Sequence, residues 1–227
     1  IYYLQNKYQA VLDYAPAVLD SAPPKREEEI KKLIGNSYYE LGQFDKSISY
    51  LEEYLKGNTG SIEDLYQLGY ANFKAEQYDE AINYFQKSIG LNDTISQNAF
   101  YYIGESNIKV GNKNAAKNAF RSASRIDVDK ELQEDALFNY AKTSYEMSAH
   151  PYDNAILAFE EYINKYPKST KLSDAYEFLL GVYYTTKNYK EALRSLDRIK
   201  DKDIKLLEAK QRIAHYRAIE LYIEEDY

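Results

Sequence analysis

The two histidines, His150 and His215, are the first residues to test for chemistry, as general bases or metal ligands. The chain has no cysteine, so a metal site built on them would need carboxylates to complete its shell. His150 precedes Pro151 in a turn, whereas His215 sits in a long helical pattern near the end of the chain, so a shared site is not expected. Glu52-Glu53 and Glu160-Glu161 are adjacent carboxylates. Consecutive side chains on a helix point in different directions, which makes these pairs solvated faces rather than an acid–base couple. The chain has no Gly-rich phosphate loop, no H-E-x-x-H and no G-x-S-x-G. Disulfides, thiolate zinc sites and cysteine nucleophiles are excluded outright. The expectation is a protein without catalytic residues, cofactor or metal.

Charge and composition narrow the class further. The formal net charge is −7 and the isoelectric point near 5.1, which argues against a general nucleic-acid binder with its basic stripe. Charged residues make up 29% and hydrophobic residues 44%, ordinary for a helical globular chain. No apolar run approaches the roughly 20 residues that span a bilayer, so direct membrane insertion is not expected. Tyrosine is abundant at 26 residues, and where the tyrosines fall matters more than their number.

The elements that carry them are set by a repeated pattern. From Ile62 to Asn92 the chain places Leu65, Leu68 and Gly69, then Asn72, then Tyr78, Ala81 and Phe85. Leu65 and Leu68 lie three apart, on one face of a first helix. Gly69 and Ala81 are small, so a second helix can approach closely, and Phe85 fills the space beside them. Corresponding residues recur from Glu28 (Ile34, Gly35, Tyr38, Phe44, Ser47, Leu51) and from Gln97 (Phe100, Ile103, Gly104, Asn107, Ala116, Phe120). They recur again from Glu134 (Leu137, Tyr140, Ala141, Tyr152, Ala155, Phe159, Pro167) and from Ser173 (Tyr176, Leu179, Tyr183, Tyr189, Ala192, Leu196). In the last of these the small residue, Gly181, comes one place late, after Leu180.

This pattern resembles that of the tetratricopeptide-repeat (TPR) family, W-x2-L-G-x2-Y followed by A-x3-F, with Leu65 in place of Trp and Asn72 in place of Tyr. The resemblance covers nearly the whole chain and implies an all-α solenoid of stacked helical hairpins, wound as a right-handed superhelix. The expected array has a partial repeat at 1–24, full repeats at 28–61, 62–96, 97–133, 134–172 and 173–210, and a partial repeat or capping helix at 211–227. Both ends fall inside a unit, so the expectation is a fragment of a longer, bacterial protein with apolar faces and self-association at its terminal repeats. The junction from Ala158 to Ala175 resembles that of TPR proteins of the Gram-negative envelope, which leans toward a periplasmic location over a cytoplasmic one.

Local signals fill in the path. Pro16 should kink or end the helix that follows Tyr8. Ser61 with Asp64, and Thr94 with Gln97, read as capping boxes. Asn92-Asp93-Thr94 fits a glycosylation sequon but reads more simply as a capping turn. Lys205 to Tyr227 reads as one long helix, with Glu220, Glu224, Glu225 and Asp226 on its polar side.

In the TPR family the concave groove is lined by the first helix of each repeat, and the resemblance implies a definite surface here. Counting each repeat from its start, position 5 holds Tyr66, Tyr101 and Phe138, position 9 Tyr70, Glu105 and Lys142, and position 12 Tyr39, Phe73, Tyr145 and Tyr184. Position 2 adds Glu63 and Asp135. This is an aromatic ladder with an acidic edge, some of whose tyrosines will serve helix packing instead. A carboxylate clamp of the co-chaperone kind is not expected. Lys32 and Asn36 match its first pair, but Gln67, Asn98 and Tyr102 stand where the remaining Asn, Lys and Arg are needed. The function implied is a scaffold or adaptor that binds a protein or peptide. The alternative is a sensor or oligomerisation segment of a bacterial signalling protein.

Overall fold

The computed structural model describes residues 1–90, 94–147, 154–200 and 202–223. Among these, twelve α-helices and one 3-10 turn are joined by short connections, and no strand is present. The chain divides into two compact units, Ile1–Asn112 and Lys113–Tyr227.

The first unit opens with a 3-10 turn at Tyr3–Gln5, followed by α1 (Tyr8–Leu19), α2 (Pro24–Glu40), α3 (Phe44–Lys56), α4 (Ile62–Lys74), α5 (Tyr78–Lys87) and α6 (Thr94–Lys109). Helices α2 with α3 and α4 with α5 form antiparallel-type hairpins, and α3 then packs on α4 and α4 on α6. The close approach within a hairpin is written in its glycine. A Cβ added to Gly69 would stand 2.8 Å from the Phe85 ring, and one added to Gly35 would stand 2.8 Å from the Leu51 side chain. Phe85 and Ala81 are fully buried, and a ring so enclosed contributes about 1.5–3 kcal/mol. Between hairpins, Ile48 and Leu51 of α3 join Leu68 and Ala71 of α4 in one apolar cluster.

Helix starts follow from capping. The Ser61 hydroxyl accepts the Asp64 N–H at 3.2 Å, and the Ser61 N–H donates to the Asp64 carboxylate at 3.1 Å. Asp64 is buried because it does a second job, an ion pair with Lys32 of the preceding hairpin at 2.6 Å. Two expectations are corrected. Pro16 does not end α1, which runs on to Leu19, since Pro16 lies on the exposed side, where water can satisfy the carbonyl it deprives of a partner. Thr94 is the first helical residue of α6 and its carbonyl takes the Asn98 amide, so it is not a cap, and Gln97 is buried. Asn92 and Asp93 of the sequon, His150, Pro151 and Tyr152, and Glu224 to Tyr227 lie outside the described residues.

The second unit consists of α7 (Lys113–Arg125), α8 (Lys130–Met147), α9 (Asn154–Lys165), α10 (Leu172–Thr186), α11 (Tyr189–Arg198) and α12 (Ile204–Ile223). Here α7 packs on α8, α8 on α9, α9 on α10 and α11 on α12. A buried polar chain ties three of these helices together. The Tyr183 hydroxyl of α10 meets Ser195 of α11, Ser195 donates to Glu160 of α9, and the Arg198 guanidinium grips Glu160 with two bonds of 2.7 and 2.9 Å. Glu160 is therefore not on a solvated face as expected: it is 5% exposed, a depth at which a carboxylate needs such partners.

The turns inside the hairpins share one geometry. Asn6, Gly42, Glu76, Gly111 and Lys187 all have φ between 56° and 82°. The next residue, where the following helix is capped, has ψ between 63° and 74° in four of these turns. The first helical residue is then aromatic: Tyr8, Phe44, Tyr78 or Tyr189. Glycine takes the left-handed position freely, so Glu76 and Lys187 hold it only because the hairpin requires it. Apolar side chains are exposed near both termini, among them Ile1, Leu4, Tyr14 and Val18 in α1 and before it, and Tyr222 and Ile223 in α12.

Candidate peptide-binding surfaces

The first unit gathers most of the aromatic side chains singled out above into one connected cluster on α4 and α6. Tyr70 is its centre, with ring centroids 5.9 Å from Tyr39, 6.4 Å from Phe73 and 5.1 Å from Tyr102. Tyr66 packs 5.6 Å from Phe85, and Tyr101 meets Tyr102 edge-on at 5.7 Å. Tyr102, the sixth residue of its repeat, joins everything. It stacks on Phe85 at 5.6 Å with the planes 15° apart and touches Phe73 at 5.1 Å. Phe44 and Tyr78, at the starts of second helices, close the cluster from the turns.

Phe85 apart, these rings are half-buried, so they both support the hairpins and present area to solvent. Burial pushes the Tyr39 and Tyr66 hydroxyls well above the usual phenol range. Tyr102 is pushed up to about 12 by burial, then by Tyr70, to which it is hydrogen-bonded, and by Glu105. Each keeps its proton, and with it a donor, at any physiological pH. Glu63 is exposed, and Glu105 lies beside Tyr102. Tyr66 therefore serves packing as well as surface, because its ring rests on a fully buried one.

The second unit repeats the arrangement with different edges. Phe178, again the sixth residue of its repeat, stacks on Phe159 at 5.5 Å with the planes 12° apart. It also contacts Tyr145 at 5.2 Å and Phe138 at 6.4 Å. Phe138 is 9% exposed, held by Phe159 and Tyr162, so it is mainly a packing residue that still borders the surface. Between α8 and α10 a cleft of about 430 Å³ is lined by Phe138, Lys142, Tyr145, Asp174, Glu177 and Phe178. Gly181 borders the same region: an added Cβ would lie 3.4 Å from the Tyr145 hydroxyl. The glycine that comes one place late thus leaves room for Tyr145, not for a second helix.

Two of the remaining residues have charged partners of their own. Asp135 is paired with Lys171, so the acidic edge is neutralised there. Tyr184 is exposed and has the Arg212 guanidinium 5.8 Å from its ring centroid, outside the Phe178 cluster. Lys32, which would have served a carboxylate clamp, is bound to Asp64. Among the described residues no three His, Asp or Glu side chains converge to hold a metal ion, and no helix is long and apolar enough to cross a membrane. Tyr102 and Phe178 were not expected as surface residues. Their signal is an aromatic at the sixth position, where other repeats carry Leu33, Gln67 and Asn139.

The sequence matches the family model of the anaphase-promoting complex, cyclosome, subunit 3, at residues 5–88 and again at 40–123, which together cover more than half of the chain. The two placements are offset by 35 residues (40 less 5), one repeat, so what is recognised is the repeat itself. A tetratricopeptide-repeat model matches residues 135–169. The chain belongs to the tetratricopeptide-repeat family. No curated protein matches it. Two crystal structures of MamA are similar to this TPR chain, at 26% identity and a TM-score of 0.55 over 81% of this chain and 98% of that one, and at 25% and 0.57 over 83% and 94%. The crystal structure of YrrB, a TPR protein with an unusual peptide-binding site, aligns at a TM-score of 0.58 and 18% identity over 87% of this chain and 98% of that one, a likeness of fold. The fold is an all-α TPR solenoid, and the protein is a protein-interaction module of that class.

Proposed function

We propose that this TPR chain binds peptide segments of a partner protein through the aromatic surfaces of its first helices, each unit by itself offering one, on α4 and α6 in the first and on α8 and α10 in the second. The observation that carries this reading is the repeated four-ring cluster: Tyr66, Phe73, Phe85 and Tyr102 in the first unit, and Phe138, Tyr145, Phe159 and Phe178 in the second. Half-buried tyrosines offer rigid contact area and a hydroxyl at small entropic cost, which is why they recur as binding hot spots. Exposed Glu63, with Glu105 beside the rings, favours a partner with positive charge over an anionic one. The bound segment is therefore apolar with at least one basic residue.

Random twelve-residue peptides displayed on phage and selected on the immobilised full chain test this. Each enriched peptide should lose about tenfold or more in affinity either to Tyr70→Ser with Tyr101→Ser or to Tyr145→Ser, while circular dichroism keeps the parent helicity. Tyr101 is the safer target than Tyr66, whose ring supports Phe85. Affinity that survives this change, and equally survives Tyr145→Ser, would place binding on another face and overturn the reading.

A further inference from the structure

We infer that the cleft between α8 and α10 holds the guanidinium of an arginine in the bound peptide, a refinement that rests on the peptide-binding reading above. The floor of the cleft is aromatic, from Phe138, Tyr145 and Phe178. Ring faces carry negative potential and attract cations. The molecule already uses this attraction on the same floor, since the Lys171 ammonium lies 5.5 Å from the Phe138 centroid.

The walls add charge of the matching sign. Asp174 and Glu177 stand three residues apart on α10, hence on one face, and both are exposed. Asp174 has no ion-pair or hydrogen-bond partner among the described residues. Its place in the first turn of α10 suits the helix dipole, but Glu177, a turn further on, gains nothing from that end. Among the described residues Glu177 is paired only with Lys205 at 3.9 Å, and these side chains are 70% and 55% exposed, so a better-placed cation displaces the contact easily.

Other occupants fit less well. An apolar side chain would strip water from two carboxylates and give them no partner. An anion would meet those carboxylates and the ring faces, with Lys142 to favour it and Lys171 already engaged by Asp135. Between the cations, arginine has the advantage because its planar head can lie on a ring and still direct its N–H groups to a carboxylate at the edge. Lys142, on the α8 wall, works against the cation and so limits affinity.

Parallel selections of the same random phage peptides on the parent chain and on Asp174→Asn with Glu177→Gln test the assignment. The parent should enrich arginine at one fixed position, and the variant should enrich the apolar positions without it. In a synthetic parent-selected peptide, replacing that arginine by citrulline should weaken binding to the parent by about tenfold or more, the scale of a lost charge-assisted contact. The citrulline exchange should change little on the variant. Lys142→Glu should tighten the arginine peptide. Peptides enriched without arginine, arginine retained on the variant, or lysine enriched equally would each overturn the inference while leaving peptide binding intact. No enrichment of any peptide on the parent chain would instead sink the reading on which it rests.

Discussion

The two units build the same ring cluster and finish it differently. In each, a phenylalanine deep in a second helix, Phe85 or Phe159, supports a ring from the sixth position of the next repeat, Tyr102 or Phe178, in a nearly parallel stack. The first unit surrounds that stack with tyrosines, Tyr70 at its centre, so its surface is aromatic and hydroxylated. The second unit places Lys142 where Tyr70 stands, and Asp174 and Glu177 on the facing helix, so its surface is a charged cleft with an aromatic floor. The buried partners are kept because they hold helices together. The residues around them are half-buried and less constrained by packing, so they can differ between the units.

If the stacks are equivalent supports, removing their bases should hurt alike. Phe85→Ala and Phe159→Ala should each cost about 3–5 kcal/mol in urea unfolding, since both rings are fully buried. A cost under about 1 kcal/mol at one site only would break the equivalence. The next effect separates the hairpins. Ala81→Leu should cost on the order of 1–3 kcal/mol by overpacking. Gly69→Ala should also destabilise, because its Cβ meets three atoms of the Phe85 ring within 3.1 Å. The second unit already carries Ala141 at the corresponding position, so its hairpin has accommodated that methyl. An unchanged melting temperature for Ala81→Leu would mean that the repeat register is wrong.

Alkaline pH reads the difference between the two stacking rings. Tyr102 has its pKa raised to about 12, by burial first, against about 10 in the unfolded chain. Its contribution is complete below pH 10 and is lost as pH rises through 12, because the unfolded chain ionises first. Tyr102→Phe should therefore flatten the fall in stability between pH 10 and 12 by about 1 kcal/mol, a figure discounted for the ring's partial exposure. Phe178 has no proton to lose, so Phe178→Tyr should steepen the same limb. The smallest effect should be shared: Glu76→Gly and Lys187→Gly, one in each unit, relieve a left-handed residue and should each stabilise by about 0.5–1 kcal/mol in thermal melts.

The sequence by itself determined the helices and their pairing into hairpins. Gly69 and Gly35 face Phe85 and Leu51 because small and large residues sixteen apart must meet when a helix folds back, and this period survives in the chain whatever surrounds it. The Ser61–Asp64 cap was legible for the same reason, its partners being three residues apart. Only the tertiary structure decided the rest. A helical period says which side of a helix a residue occupies, but not what a neighbouring helix brings to it. Lys171 reaches Asp135 from 36 residues away and removes its charge from the edge. Arg212 meets Tyr184 from another helix, and Phe159 with Tyr162 covers Phe138. Tyr102 and Phe178 became the hubs of their clusters because the helix beneath offered each a buried phenylalanine on which to stack, a match between repeats that no pattern within one repeat contains.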